Sequence, residues 1–167
     1  MDSYLKRLQT ELKTTIEGAS DSAMQKAPAG KWNSEQILEH LYLSYKNTNK
    51  GIAKCLEDGA PIATHARVKH YFARSLVLGL GYIPSGFEAP KRVMPRGTSA
   101  NEVRAEIFAE IEAMDAGFLA CEERFGYAKQ ILDNPRLGPL TPEQWRKFHL
   151  LHGRHHARQI RERINMP

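Results

Sequence analysis

The residues of this sequence best suited to chemistry are its histidines, and four of the seven fall within eight consecutive positions, His149, His152, His155 and His156. The segment around them, Thr141 to Ile164, reads as a helix. Thr141 is a favourable N-cap, Pro142 stands at the first helical position where its missing N–H costs nothing, and Gln144 at N3 completes a capping box. Side chains advance about 100° per residue, so His152 and His156 project from one face on successive turns, together with Trp145, Phe148 and Gln159. His149 lies about 60° from His152, whereas His155 points about 100° away from His156. An i,i+4 histidine pair lets two imidazole nitrogens reach one metal ion at about 2.0–2.1 Å from each. The same spacing also occurs for histidines that merely pack or face solvent, so a site requires a further ligand from another element.

His40 is the candidate for that ligand. It belongs to a helix capped by Asn33 with Gln36 at N3, running to about Leu56 before Asp58-Gly59-Ala60-Pro61 ends it. Ile37, Leu43 and Ser44 share its sector, which places His40 on the inward side. If this helix neighbours the last one, His40, His152 and His156 form a three-imidazole site for a divalent transition metal, zinc or nickel foremost. Three neutral ligands leave a coordination position open to water or substrate, as in catalytic zinc sites, whereas a structural zinc wants a fourth protein ligand. Neither cysteine supplies it, because Cys55 and Cys121 lie on apolar helix positions and read as buried small hydrophobes. An ion held this way acts as a Lewis acid, toward water in hydrolysis or toward a thiol in transfer. No catalytic side chain is identified. Glu39 is the carboxylate adjacent to a proposed ligand, but it points about 100° from His40. A nucleophilic serine motif and a Gly-rich phosphate loop are both lacking. His149 and Gln159 are candidates for supporting contacts behind the ligands. His65 and His70 lie about 140° apart on a helix and do not converge, so both read as structural or solvent-facing.

The elements that must position these residues are helical. Asp2 or Ser3 caps a first helix through about Gly18, with Leu5, Leu8, Leu12 and Ile16 on its apolar stripe. Ala19 to Lys31 form a connection. Ile62 to about Leu80 reads as a shorter helical segment, in one or two pieces, with Val68, Phe72, Leu76 and Leu80 in phase. Gly81 to Thr98, which contains Pro84, Gly86, Pro90 and Pro95, is a long irregular stretch of the kind that covers or crosses a domain. Its Lys91, Arg92 and Arg96 read as a solvated basic loop at the mouth of a pocket. Ser99 with Glu102 at N3 opens a helix to about Phe125, with Val103, Ile107, Ile111, Met114 and Phe118 inward. A second irregular segment, Asn134 to Leu140, leads into the last helix. Strand-like alternation is missing apart from brief spots near Ile131 and Val93. The expectation is one all-α domain spanning residues 1–167, a four-helix bundle with an extra short helical segment and two long loops.

Composition narrows the function classes. The 167 residues, 41% hydrophobic and 26% charged, suit one globular core. The net charge of +5 is spread out. Its densest part, Arg154, Arg158, Arg161 and Arg163, lies toward the C-terminal end of the last helix, where cations oppose the macrodipole. With no nucleic-acid-binding signature beside it, nucleic acid is not expected as a partner. No segment has the ~20 apolar residues of a membrane span, and the N-terminus lacks a signal peptide's apolar run, so a cytoplasmic location is expected.

Several motifs in order resemble one known group. Gly30-Lys31-Trp32-Asn33 with Gln36-Ile37-Leu38-Glu39-His40-Leu41, then Arg92-Val93-Met94-Pro95-Arg96-Gly97-Thr98, then Leu137-Gly138-Pro139-Leu140-Thr141-Pro142-Glu143-Gln144-Trp145, and finally His152-Gly153-Arg154-His155-His156-Ala157-Arg158-Gln159-Ile160, are similar to motifs of the DinB/YfiT-like superfamily of assigned metalloenzymes. The likeness covers nearly the whole chain. It implies a four-helix bundle of up-down-down-up topology and a divalent metal on three histidines, which carry over to His40, His152 and His156. His155 falls at a variable position and is not counted. The resemblance further implies a small-molecule substrate, with some members transferring low-molecular-weight thiols and many others labelled metal-dependent hydrolases, and it implies a homodimer. The competing expectation is a non-catalytic bundle that binds a metal or a small molecule. Trp32 and Trp145 are read as anchors of the two helix entrances.

Overall fold

The computed structural model describes residues 1–84 and 88–166; Gly86 of the long irregular stretch lies outside them. The described chain is mostly helical: α1 (Ser3–Ile16), α2 (Asp21–Met24), α3 (Ser34–Asp58), α4 (Val68–Arg74), α5 (Ala100–Phe125) and α6 (Pro142–Ile164), with a small hairpin of β1 (Leu132–Asn134) and β2 (Gly138–Leu140). The predicted helix starts follow from their caps. Asn33 and Gln36 form a reciprocal capping box at α3, and Thr141 and Gln144 do the same at α6 behind Pro142. Gly59 ends α3 in the left-handed region at φ 68°, a conformation glycine adopts without a Cβ penalty.

The long helices pair closely. Leu8 of α1 lies against Gly153 of α6, and Arg161 further along α6 pairs with Glu11 at 2.8 Å, so α1 and α6 run side by side in one direction. A Cβ on Gly153 would stand 2.1 Å from Leu8 Cδ1, so any larger residue there would force the buried Leu8 side chain to move. Asn49 of α3 bonds Glu110 of α5, and Arg124 Nη1 reaches Leu56 O, so α3 and α5 also run in the same direction. Ser34 Oγ faces Ile160 O while Thr48 meets His149, which makes α3 antiparallel to α6. The core between them is built from the predicted stripes, Leu5, Leu8 and Leu12 of α1 with Val103, Ile107, Ile111, Met114 and Phe118 of α5, together with Ile37, Leu41 and Ile52 of α3. Cys55 and Cys121 are fully buried, as expected of small hydrophobes.

Three expectations require correction. The span read as a bare connection between α1 and α3 contains the one-turn α2, capped by Ser20 and holding Met24 in the core. Ile62–Arg67 is not helical, because Ile62 N–H donates to Ile131 O and Thr64 N–H to Asp133, tying this stretch to the hairpin. The stripe Val68, Phe72 and Leu80 is exposed. Within α4 it is Arg74 rather than Val68 or Phe72 that is buried, and Ser75–Gly79 is wound as a π-helix, in which Val77 and Leu78 rather than Leu80 face inward. Near Ile131 the ambiguous spot resolves as β1. Its turn is set by Asn134, whose Oδ1 accepts from the N–H groups of Arg136 and Leu137. With three residues in each strand, no alternation had room to declare itself.

The basic end of α6 is largely occupied within the chain. Arg161 binds Glu11 and Thr15, Arg163 donates to Trp32 O and Gln159 O, and Arg158 faces Glu162. No helix among the described residues is long and apolar enough to cross a membrane.

Candidate metal centre

Because α3 and α6 are antiparallel neighbours, the inward face of the second turn of α3 meets the C-terminal half of α6. That juxtaposition brings His40, His152 and His156 together, with a ligand atom from each within 4.8 Å of the others. His40 Nε2 lies 3.3 Å from His152 Nε2, and His156 Nε2 lies 3.1 Å from the same atom. Two nitrogens each about 2.0–2.1 Å from a tetrahedral ion are separated by about 3.3–3.4 Å, so this spacing suits a shared metal with little adjustment.

Proton bookkeeping points the same way. His40 Nδ1–H donates to Val93 O at 2.8 Å, and His156 Nδ1–H donates to Gln159 Oε1 at 2.8 Å. A neutral imidazole carries one N–H, so both rings present bare Nε2 lone pairs to His152. His152 has at most one proton to offer them, and its Nδ1 is buried without a partner. At least one inward lone pair is therefore left unmatched, a deficit that a cation removes. Protonating the rings instead is costly. Burial holds His40 below the ordinary histidine range against the opposing effect of its bond to Val93. Burial and the neighbouring rings hold His152 well below that range, and burial with the adjacent His40 pushes His156 down to about 3. These residues fit a divalent ion of the imidazole-preferring kind.

The walls are aromatic. Phe148 stacks on His152 at 5.3 Å between centroids with an interplanar angle of 12°, and Trp32 lies 5.4 Å from His40. Trp145 instead stacks on His149 and donates its indole N–H to Leu132 O, so it anchors the entrance of α6 against β1.

His149 and Gln159 part company. Gln159 bridges two rings, accepting from His156 Nδ1 and extending its amide nitrogen to His155 Nε2 at 3.2 Å. His149 turns away from the trio and pairs its Nε2 with Thr48 Oγ1 at 3.2 Å, while burial pushes its pKa down to about 3. His65 is exposed and His70 accepts from the Arg67 N–H, so neither approaches the cluster. Glu39 is committed elsewhere. Its carboxylate accepts from the backbone N–H groups of Arg96, Gly97 and Thr98. Burial alone would raise its pKa, but these bonds together hold it below the usual carboxylate range. Two contributors escaped the reading of the sequence. Val93 acts through a carbonyl oxygen, which no side-chain pattern reveals, and Thr48 is recognisable only as a polar residue on an inward face.

The family described as Protein of unknown function (DUF1569) matches residues 6–163. The chain belongs to the DUF1569 family. The match takes in α3 and α6 and hence all three clustered histidines, so the site lies within the family's common span. No curated protein and no solved structure matched the chain.

Proposed function

We propose that this DUF1569 chain is a metal-dependent enzyme of the DinB/YfiT-like type, a hydrolase or a thiol-dependent transferase, with His40, His152 and His156 as ligands of a divalent ion. The observation that carries the reading is the convergence of three Nε2 atoms at 3.1 and 3.3 Å spacings, with the Nδ1 protons of two of the rings already given to Val93 and Gln159. Backing of a ligand's second nitrogen in this way fixes the tautomer that metal binding requires. The helix directions support this reading, since α1 and α6 run one way and α3 and α5 the other, as an up-down-down-up bundle would require. A bound metal supplies Lewis-acid activation of water or of a thiol. The chain's own contribution is to hold three neutral imidazoles in place and to shield them with Phe148 and Trp32.

A second reading, a bundle that binds metal or a small molecule without turnover, is favoured by one observation. Glu39, the carboxylate adjacent to a ligand, is occupied by loop amides rather than free to act as a base. The deciding experiment is elemental analysis of untagged protein together with His40→Ala and His152→Ala. About one equivalent of transition metal in the wild type, lost in both variants, is the expected result. Turnover of ester, amide or thiol-conjugation substrates that disappears in the variants then selects the enzyme. Stoichiometric metal with no turnover, and a sharp loss of melting temperature on its removal, selects the binding module. Absence of metal after equilibration with zinc and nickel refutes the enzyme reading and the metal-binding form of the second.

A further inference from the structure

Arg74 lies apart from the histidine cluster and presents an unsolved charge. It is only 9% exposed, yet no carboxylate among the described residues pairs with it. Its Nε donates to Leu137 O at 2.8 Å and its guanidinium lies 5.2 Å from the Tyr71 ring centroid, which shields the cation without neutralising it. Its Nη2 is buried with no partner at all. Buried arginines are almost always paired, because an uncompensated charge in a low-dielectric setting is costly.

Arg74 also forms part of the wall of a groove of about 410 Å³. Ser75 and Leu78 of the π-helical turn line it together with Gln144 and Lys147 of α6. Single π-helical turns are uncommon and concentrate at functional positions, where they re-aim side chains at the cost of regular bonding. Here the turn begins immediately after Arg74. Glu143 borders the groove from an exposed position, so the two cations outweigh the one carboxylate.

We propose that this groove binds an oxyanion, the carboxylate or phosphate group of a small ligand, with Arg74 as its buried anchor and Lys147 at its rim. Guanidinium groups suit such ligands because their N–H donors match two oxygens at once. Leu78 and the Tyr4 ring supply apolar surface for the rest of the ligand.

Inorganic phosphate and acetate serve as probes, each compared with chloride at equal ionic strength and followed by thermal shift and by amide chemical shifts of residues 75–79 and 144–147. Binding of either anion beyond the chloride response is expected, and the stronger of the two identifies the group. Lys147→Ala, at the rim, should weaken it about two- to fivefold. Arg74→Lys, which keeps the charge but loses the fork, should weaken it about tenfold or more. His152→Ala should leave it unchanged, which separates this groove from the metal centre. A response to phosphate and acetate no larger than to chloride, or one that survives both Lys147→Ala and Arg74→Lys, overturns the proposal. Should Arg74→Lys fail to fold, the Lys147→Ala result and the location of the shifted amides decide alone.

Discussion

Replacing Gln159 by leucine tests how the candidate ligands are held. The substitution removes the oxygen that accepts His156 Nδ1–H at 2.8 Å and the amide that reaches His155. His156 then has no partner to hold its proton on Nδ1, and a proton that migrates to Nε2 blocks the nitrogen that faces His152. Loss of such a backing contact typically costs about 10–100-fold in metal affinity. At a free metal concentration about 100 times the wild-type Kd, bound metal stabilises the fold by about 2.7 kcal/mol. A variant weakened about 30-fold retains about 0.9 kcal/mol at the same concentration. For a chain of this size each kcal/mol moves Tm by about 2–4 °C, so the metal-induced rise should shrink by about 4–7 °C. The assay is a chelator-indicator competition with untagged protein, paired with melting curves with and without zinc. Gln159→Glu should match or exceed wild-type affinity, since a carboxylate is the stronger acceptor. His155→Ala, which disturbs only the far side of the Gln159 amide, should change affinity little. Equal zinc affinity in wild type and Gln159→Leu, with His152→Ala abolishing binding, would refute the role given to Gln159.

Acid should destabilise the metal-free protein early. His40, His149, His152 and His156 are held neutral in the fold but protonate near 6.5 when unfolded, so the unfolded state binds more protons as pH falls below that value. Stability should fall by about 1.4 kcal/mol per pH unit for each of them between about 6.5 and the folded values. Urea titrations from pH 7.5 to 5 in the presence of a chelator check this, and a flat profile refutes it. Glu39→Gln should cost about 1–3 kcal/mol by weakening the charge-assisted bonds from Arg96, Gly97 and Thr98, with faster hydrogen exchange at those three amides as its local signature. Because the folded Glu39 pKa is lowered, its stabilisation is present at neutral pH and lost as pH falls below the carboxylate range. Gly153→Ala should destabilise by about 1–3 kcal/mol, since its Cβ would meet Leu8 Cδ1 at 2.1 Å. An unchanged Tm would mean that α1 yields freely.

The long helices and the His152–His156 pair were legible in the sequence because each is encoded locally. Capping boxes mark the starts of α3 and α6, and a spacing of four residues places His152 and His156 on one face. That His40 meets them depends on α3 and α6 being antiparallel neighbours, a tertiary fact that spacing within one helix leaves open. The misreadings in the segment before α5 have separate causes. Val68 and Phe72 carry an apolar period that the short α4 leaves on its solvent side, the π-helical turn from Ser75 breaks the phase for Leu80, and backbone bonds from Ile62 and Thr64 to the hairpin draw the preceding residues out of the helix. Glu39 shows the limit for chemistry. Its type suits a general base and its direction, about 100° from His40, counts against that role, but only the loop amides on its carboxylate reveal what it does instead.

Those amides connect the loop to the candidate ligands more tightly than either contact does alone. Consecutive residues of α3 grip the same loop from two directions: His40 donates to Val93 O, while Glu39 accepts from Arg96, Gly97 and Thr98. The loop is thereby held at both ends of a short span, and Val93 itself is buried. Its carbonyl is the group that keeps the His40 proton on Nδ1, so whatever displaces this span also frees the His40 tautomer. Lys91, Arg92 and Arg96 are exposed, as in a solvated basic loop, but the backbone of this segment braces the histidine beneath it. Metal affinity should therefore depend on Glu39 although its carboxylate contacts no proposed ligand, because the loop carries the coupling between them.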